Sequence, residues 1–296
     1  MGLTRQRIAA RILGPLRRRG RRVIWTPDFM GFGNLLYLLH WAHTARAVGH
    51  PLWVLTTPAL DPWRTVFPEL LELCLERDEV RWSDARIMPW SEAGRAALPP
   101  GFYDSITPLS PEEPFQDFTS GYLLPGARRS MPRPNQDPHR LLVNVRRGDY
   151  YSHPTHLQQY GFAVAGYVEA AVRGSLAHQG PVRSVRVVSD DVGWCRDHLT
   201  CLYELDAEIT FSDPGDTAVS NFFEIADARR LVITNSTFSY WGALLSNLLH
   251  PGSEADIWAP RFFDRTRHGG RSPLLDERWS IIESLPGGWD PPEAQG

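Results

Sequence analysis

The chain has 296 residues and sets 31 basic side chains against 34 acidic ones, a formal net charge of −3. Every basic residue is arginine, since the sequence contains no lysine. With 42% hydrophobic and 22% charged residues it has the makings of a globular protein with ample core. The near-neutral balance excludes a general nucleic-acid binder, and Cys74, Cys195 and Cys201 make neither a disulfide framework nor a paired zinc motif.

Residues 1–22 hold eight arginines and no acid, a local +8 that leaves −11 on the rest. No hydrophobic segment with a small-residue cleavage site follows, so a signal peptide is not expected. No apolar run approaches the roughly 18 to 20 residues of a membrane span. Ile8, Ile12 and Leu16 recur at helical spacing. Two readings stand: a solvated basic tail, or a short amphipathic helix making weak contact with an anionic membrane surface. The expected location is cytoplasmic, and peripheral at the inner membrane face on the second reading.

From residue 23 short β-rich runs alternate with helical ones. Val23–Thr26 reads as a strand, Leu35–Val48 as a helix and Leu52–Thr56 as a strand, a βαβ unit that implies parallel pairing. Leu70–Arg77 is a further helix candidate and Val80–Trp82 a strand candidate. Residues 99–138 contain nine prolines and read as irregular excursion and linker. The alternation then resumes. Strands are expected at Leu141–Val145, Val185–Ser189, Glu208–Phe211, Leu231–Thr234 and Ile257–Ala259. Helices are expected at Phe162–Leu176, Asp191–Leu199, Val219–Ala228 and Phe238–Leu249. The fold class is therefore α/β, with two Rossmann-like lobes (23–138 and 139–296) facing a cleft.

In such sheets ligands sit beyond the carboxyl ends of the strands, and four post-strand loops are unusual. Gly31-Phe32-Gly33-Asn34 brings backbone amides to a helix start, where an anion fits, although a tight turn alone would also explain it. Arg146-Arg147-Gly148-Asp149-Tyr150 places two guanidiniums, good phosphate partners, straight after an apolar strand; a salt bridge to Asp149 is the plainer use. Ser189-Asp190-Asp191 offers carboxylates either to a ligand or to a helix cap. Thr234-Asn235-Ser236-Thr237-Phe238-Ser239-Tyr240-Trp241 has more small polar side chains than one cap needs.

Together these loops resemble a known family. Val143-Asn144-Val145-Arg146-Arg147-Gly148-Asp149-Tyr150 is similar to the V-H-[IV]-R-R-G-D-Y signature of α-1,2-fucosyltransferases, glycosyltransferase family 11. Tyr160-Gly161 resembles its H-G element, and Ser189-Asp190-Asp191 with Trp194-Cys195 its S-D-D-x-x-W-C segment. Asn221-Phe222-Phe223 through Asn235-Ser236-Thr237-Phe238-Ser239-Tyr240-Trp241-Gly242 resembles its D-F-x…N-S-S-F-S-W-W block, and Gly31 to Asn34 its opening G-x-G-N loop. The likeness runs from about residue 28 to about 282; the stretch 57–138 contributes none.

The resemblance implies a GT-B fold from a bacterium and an inverting, metal-independent transfer of L-fucose from GDP-fucose to a hydroxyl, expected to be O2, of a glycan acceptor. No cofactor is expected. It implies donor contacts from Gly31, Gly33, Asn34, Arg146, Arg147, Ser189, Asp190, Asp191, Asn235, Ser236, Thr237, Phe238 and Ser239. Arg146 is the first choice for stabilising the leaving phosphate, and Asp149, His153 and His156 are the candidates for general base. Asn144 and Tyr160 stand where the family has histidines, which leaves two rivals: a GT-B transferase using another sugar nucleotide, and a non-catalytic nucleotide-sugar-binding protein.

Overall fold

A computed structural model of the chain describes residues 20–88, 113–213, 215–266, 268–272 and 274–291. The amphipathic-helix reading of the N-terminal tail and the first part of the proline-rich stretch lie outside the described residues. The chain divides into two compact units, Met1–Gly126 and Ala127–Gly296.

The first unit is a parallel sheet of β1 (Arg22–Ile24), β2 (Leu52–Leu55), β3 (Cys74–Leu75) and β4 (Ala85–Ile87), in the order β3-β2-β1-β4. Helix α1 (Phe32–Ala47) connects β1 to β2 and buries residues on most of its faces, so its sequence lacks a polar stripe. Two expectations fail here. Leu70–Arg77 is no α-helix: tight 3-10 turns at Pro58–Trp63 and Pro68–Leu73 lead directly into β3. Leu70, Leu73 and Leu75 are all buried by this path, which a straight helix does not require. Val80–Trp82 is no strand either, and Trp82 is exposed.

The proline-rich stretch also differs from expectation, because its described part is helical: α2 (Glu113–Phe118), a wider π turn (Thr119–Leu123) and α3 (Leu124–Ser130). Pro125 falls in the first turn of α3, straight after the widened turn, where its missing N–H and its ring are tolerated. Phe115, Phe118, Leu123 and Ala127 are buried and supply the apolar reason for the helix.

The second unit has six parallel strands: β5 (Arg140–Val145), β6 (Ser184–Ser189), β7 (Glu208–Phe211), β8 (Arg230–Ile233), β9 (Ile257–Pro260) and β10 (Ser280–Ile282), in the order β10-β9-β8-β5-β6-β7. Counted from the other edge this is 3-2-1-4-5-6, the Rossmann order, with the winding reversed between β5 and β8. All six residues of β5 except Arg140 are buried, as a central strand covered on both faces demands. Leu141, Val143 and Val145 pack with Val185, Val187 and residues of α6 (Val164–Gln179) on one face. Helices α7 (Val192–His198), α8 (Ala218–Ala226) and α9 (Thr237–Leu249) complete the unit. Between β5 and α6 lie two short helices absent from the sequence reading, α4 (Gly148–Ser152) and α5 (Pro154–Tyr160). They carry no apolar period long enough to announce them, and β10 was likewise not anticipated.

Candidate functional site

The reversal between β5 and β8 is where a doubly wound sheet opens a crevice at its carboxyl edge. Two of the unusual loops leave from it, and they are joined: buried Thr234 accepts the Arg146 backbone N–H on its Oγ1 at 2.8 Å.

The two arginines have opposite surroundings. Arg147 is 7% exposed, its guanidinium carbon lying 3.7 Å from the Tyr151 ring centre and 3.8 Å from that of Trp194, with Nε 3.3 Å from Asp191 Oδ2. It is packed as a core element between two aromatic faces. Arg146 is 39% exposed and lies between two carboxylates, paired with Asp149 and placed 2.7 Å from Asp190 Oδ2. Burial pulls its pKa down, but Asp190 and Asp149 outweigh that and raise it, so the site holds a permanent cation.

The Ser189-Asp190-Asp191 loop divides its labour. Asp191 Oδ1 accepts the Trp194 backbone N–H at 3.2 Å and so caps α7, while its own N–H donates to Ser189 Oγ at 2.9 Å. Asp190 takes the Arg147 backbone N–H on Oδ1 at 2.8 Å and the Arg146 guanidinium on Oδ2. Gly148 is required beside it, because a Cβ there would lie 2.3 Å from Asp190 Oδ2. Burial raises the Cys195 thiol pKa to about 11, so this cysteine is a protonated core residue rather than a nucleophile.

The loop after β8 is equally partitioned. Asn235 donates its amide to the carbonyls of Tyr160 (2.8 Å) and Phe263 (3.0 Å). Buried Ser239 donates to Asn144 Oδ1, and Asn144 donates in turn to the Val188 carbonyl at 3.0 Å. Asn144 thus bridges β6 and α9 and has both ends of its amide engaged. Ser236 occupies the cap of α9 without a side-chain cap bond, and Thr237 and Phe238 form the first turn, where backbone N–H groups have no partner within the helix. Phe238 meets Phe222 edge-on at 5.2 Å.

Helices α4 and α5 build the rim. His156 Nδ1 lies 3.3 Å from the Asp149 carbonyl and 3.7 Å from Asp149 Oδ2. His153 stands exposed at the cap of α5, its ring 4.7 Å from that of His156. Tyr150 and Tyr160 stack at 4.7 Å, with Arg146 5.5 Å above the Tyr150 ring. Burial raises the Tyr150 pKa, keeping the phenol neutral.

One cluster of the second unit therefore unites Arg146, Arg147, Asp149, His153, His156, the Ser189 loop and the Asn235 loop. Gly31, Gly33 and Asn34 belong to the first unit: Gly31 caps α1 without a side-chain bond, and Asn34 is exposed in its first turn. Among the described residues no group of three or more His, Cys, Asp and Glu side chains is placed to hold a metal ion, and no helix is long and apolar enough to cross a membrane. Sequence reasoning counted Thr234 among the small polar side chains of this loop but gave it no contact of its own; its bond to the Arg146 backbone depends on the pairing of β5 with β8.

Comparisons with known proteins fall on the same region. Residues 134–248 match the family described as Glycosyl transferase family 11. The chain is 30% identical over 141 residues to an alpha-1,2-colitosyltransferase of Escherichia coli, covering 48% of this chain and 47% of that protein. It is 29% identical over 104 residues to the O-antigen biosynthesis glycosyltransferase WbnK of Escherichia coli, covering 35% and 33%. The matches thus span less than half the length of these curated relatives. Among solved structures, a mutant of Arabidopsis thaliana FUT1 in complex with GDP aligns with a TM-score of 0.45 at 14% identity, over 80% of this chain and 72% of that one.

Proposed function

Residues 134–248 being a family 11 glycosyltransferase domain, we propose that the chain transfers L-fucose from GDP-fucose to a glycan hydroxyl, O2 by the family resemblance, with inversion and without a metal. The observation that carries this reading is Arg146: a permanent cation, half exposed, held by Asp149 and Asp190 at the strand-order reversal. In a single displacement the acceptor oxygen attacks the anomeric carbon while the diphosphate departs, and negative charge grows on the leaving β-phosphate. A guanidinium fixed in advance stabilises that charge more than it stabilises the ground state. The N–H groups at the start of α9, with Ser236 and Thr237, add donors on the same edge.

His156 is the general base in this reading. With Nδ1–H donated to the Asp149 carbonyl, Nε2 keeps its lone pair for the acceptor proton. Asp149 holds Arg146 and supports His156 at once. Gly31, Gly33 and Asn34, in the first unit, are the further donor contacts that the family resemblance implies.

A second donor has a specific observation in its favour, since one relative is named a colitosyltransferase; a nucleotide-linked colitose is therefore the alternative sugar. Thermal shift with GDP, GDP-fucose, GDP-mannose, a nucleotide-linked colitose and UDP- and dTDP-sugars separates the readings, because ligand at a hundred times its dissociation constant adds about 2.7 kcal/mol. GDP and GDP-fucose are expected to stabilise the protein, and GDP-fucose to be turned over with a glycan acceptor. Stabilisation by UDP- or dTDP-sugars alone would overturn the donor. Stabilisation by GDP-fucose with neither transfer nor slow donor hydrolysis would leave a binding protein.

A further inference from the structure

The rim helix α5 ends in a way that assigns work to a residue outside every motif. A helix terminates with carbonyls that have no partner of their own. In α5 and the residue after it, four consecutive carbonyls are each satisfied from outside the helix. Arg265 supplies three of the four bonds: Nη1 donates to the Gln158 carbonyl at 3.3 Å and to the Gly161 carbonyl at 2.6 Å, and its backbone N–H donates to the Gln159 carbonyl at 3.0 Å. The Tyr160 carbonyl takes the Asn235 amide at 2.8 Å.

The guanidinium is itself fixed from its far side, 2.9 Å from Asp290 Oδ1, and lies 4.9 Å from the Phe262 ring centre. Gln159 adds a side-chain bond from the same helix to Asp264 Oδ2 at 2.8 Å. A cation at the carboxyl end of a helix also meets the negative end of its dipole.

The clamp leads back to the catalytic edge by a short path. Asn235 directly follows Thr234, whose hydroxyl holds the Arg146 backbone. One two-residue step therefore fixes both the cation and the end of α5, the helix that carries His156 and Tyr160. We propose that Arg265 is a positioning residue for the transfer reaction: it sets α5 so that His156 faces the acceptor while Arg146 holds the donor. This rests on the proposed function above, and its own prediction is selective. Loss of Arg265 should harm the step that needs His156 and spare donor binding, which uses Arg146 and the start of α9.

The test compares the wild-type chain with Arg265→Ala and Arg265→Lys. In the alanine variant, amide hydrogen exchange across residues 154–161 is expected to quicken at least tenfold while β5 and α9 keep their wild-type protection. GDP affinity should stay within threefold, and kcat should fall at least tenfold. The lysine variant, charged but without the fork needed to reach two carbonyls, should recover only part of kcat. Unchanged exchange over 154–161 would overturn the clamp, whatever the activity. A kcat within twofold of wild type, or GDP affinity and kcat falling by one common factor, would overturn the positioning role. If the alanine variant does not fold, the lysine variant is read by the same criteria. A wild-type chain that neither binds GDP nor transfers would sink the proposed function instead, with the exchange measurement still deciding the clamp.

Discussion

Arg230 begins one strand of the second sheet and Arg146 follows the strand beside it, at opposite ends of the pair. Arg230 opens β8 at the amino edge and is fully buried. It donates to Ser175 Oγ at 2.7 Å, to the Gly180 carbonyl at 3.0 Å and to the Pro138 carbonyl at 3.4 Å. Burial lowers its pKa, with Asp256 opposing. Arg146 follows β5 at the carboxyl edge, stays half exposed and is held by two carboxylates that keep it charged. The first ties chain segments together by filling neutral acceptors. The second is held in place by charged partners and stays partly exposed. Residue type is the same in both; burial and the charge of the partners are what differ.

The widest gap should open at Arg146. Arg146→Ala is expected to cut kcat/KM at least about a hundredfold, the usual scale for removing one donor to transition-state charge. Its unfolding midpoint in urea should stay near wild type, because exposed ion pairs contribute little. Turnover with an authentic substrate pair at the wild-type rate would remove Arg146 from the mechanism.

Arg230→Ala should show the reverse profile. It leaves a cavity and unpairs the buried Ser175 Oγ, while the Gly180 and Pro138 carbonyls lie nearer the surface and can turn to water; one buried acceptor left unpaired costs about 1 to 3 kcal/mol, so a loss of about 2 kcal/mol is expected. Urea unfolding measures it, and GDP affinity per folded molecule should be unchanged. A variant as stable as wild type would mean that Arg230's desolvation already cancels its bonds.

Much of this contrast was legible in the sequence, and the remainder has identifiable causes. Leu141–Val145 announces itself as a buried strand, and Glu208–Phe211 is a strand over the very residues its composition indicates. The loops after β5, β6 and β8 were recognisable because polar residues gather after apolar runs. Which of Arg146 and Arg147 faces outward was not legible. That depends on Tyr151 and Trp194 closing on Arg147, and Trp194 arrives from α7, the helix that follows another strand. Whether Asp190 or Asp191 caps α7 was equally open until the backbone placed the Trp194 N–H. Helices α4 and α5 were missed because they are short and broken at Pro154. Arg265 was invisible for a deeper reason: its partners at α5 are backbone carbonyls, which no residue letter encodes.

The smallest expected effect concerns metal. A divalent ion at the carboxyl edge would need the carboxylates of Asp149 and Asp190, and both already hold Arg146. To enter, the ion would have to displace a guanidinium that is charged at every working pH, and it would then duplicate the role proposed for it. Transfer measured with excess EDTA should therefore remain within about twofold of the untreated rate, and added magnesium should not raise it, since a fixed guanidinium supplies the charge stabilisation an ion otherwise gives. A chelator-sensitive rate restored by magnesium would mean that the carboxylates release Arg146 in the working enzyme. The carboxyl edge would then resemble the amino edge, with an arginine that holds the structure together while something else meets the anion.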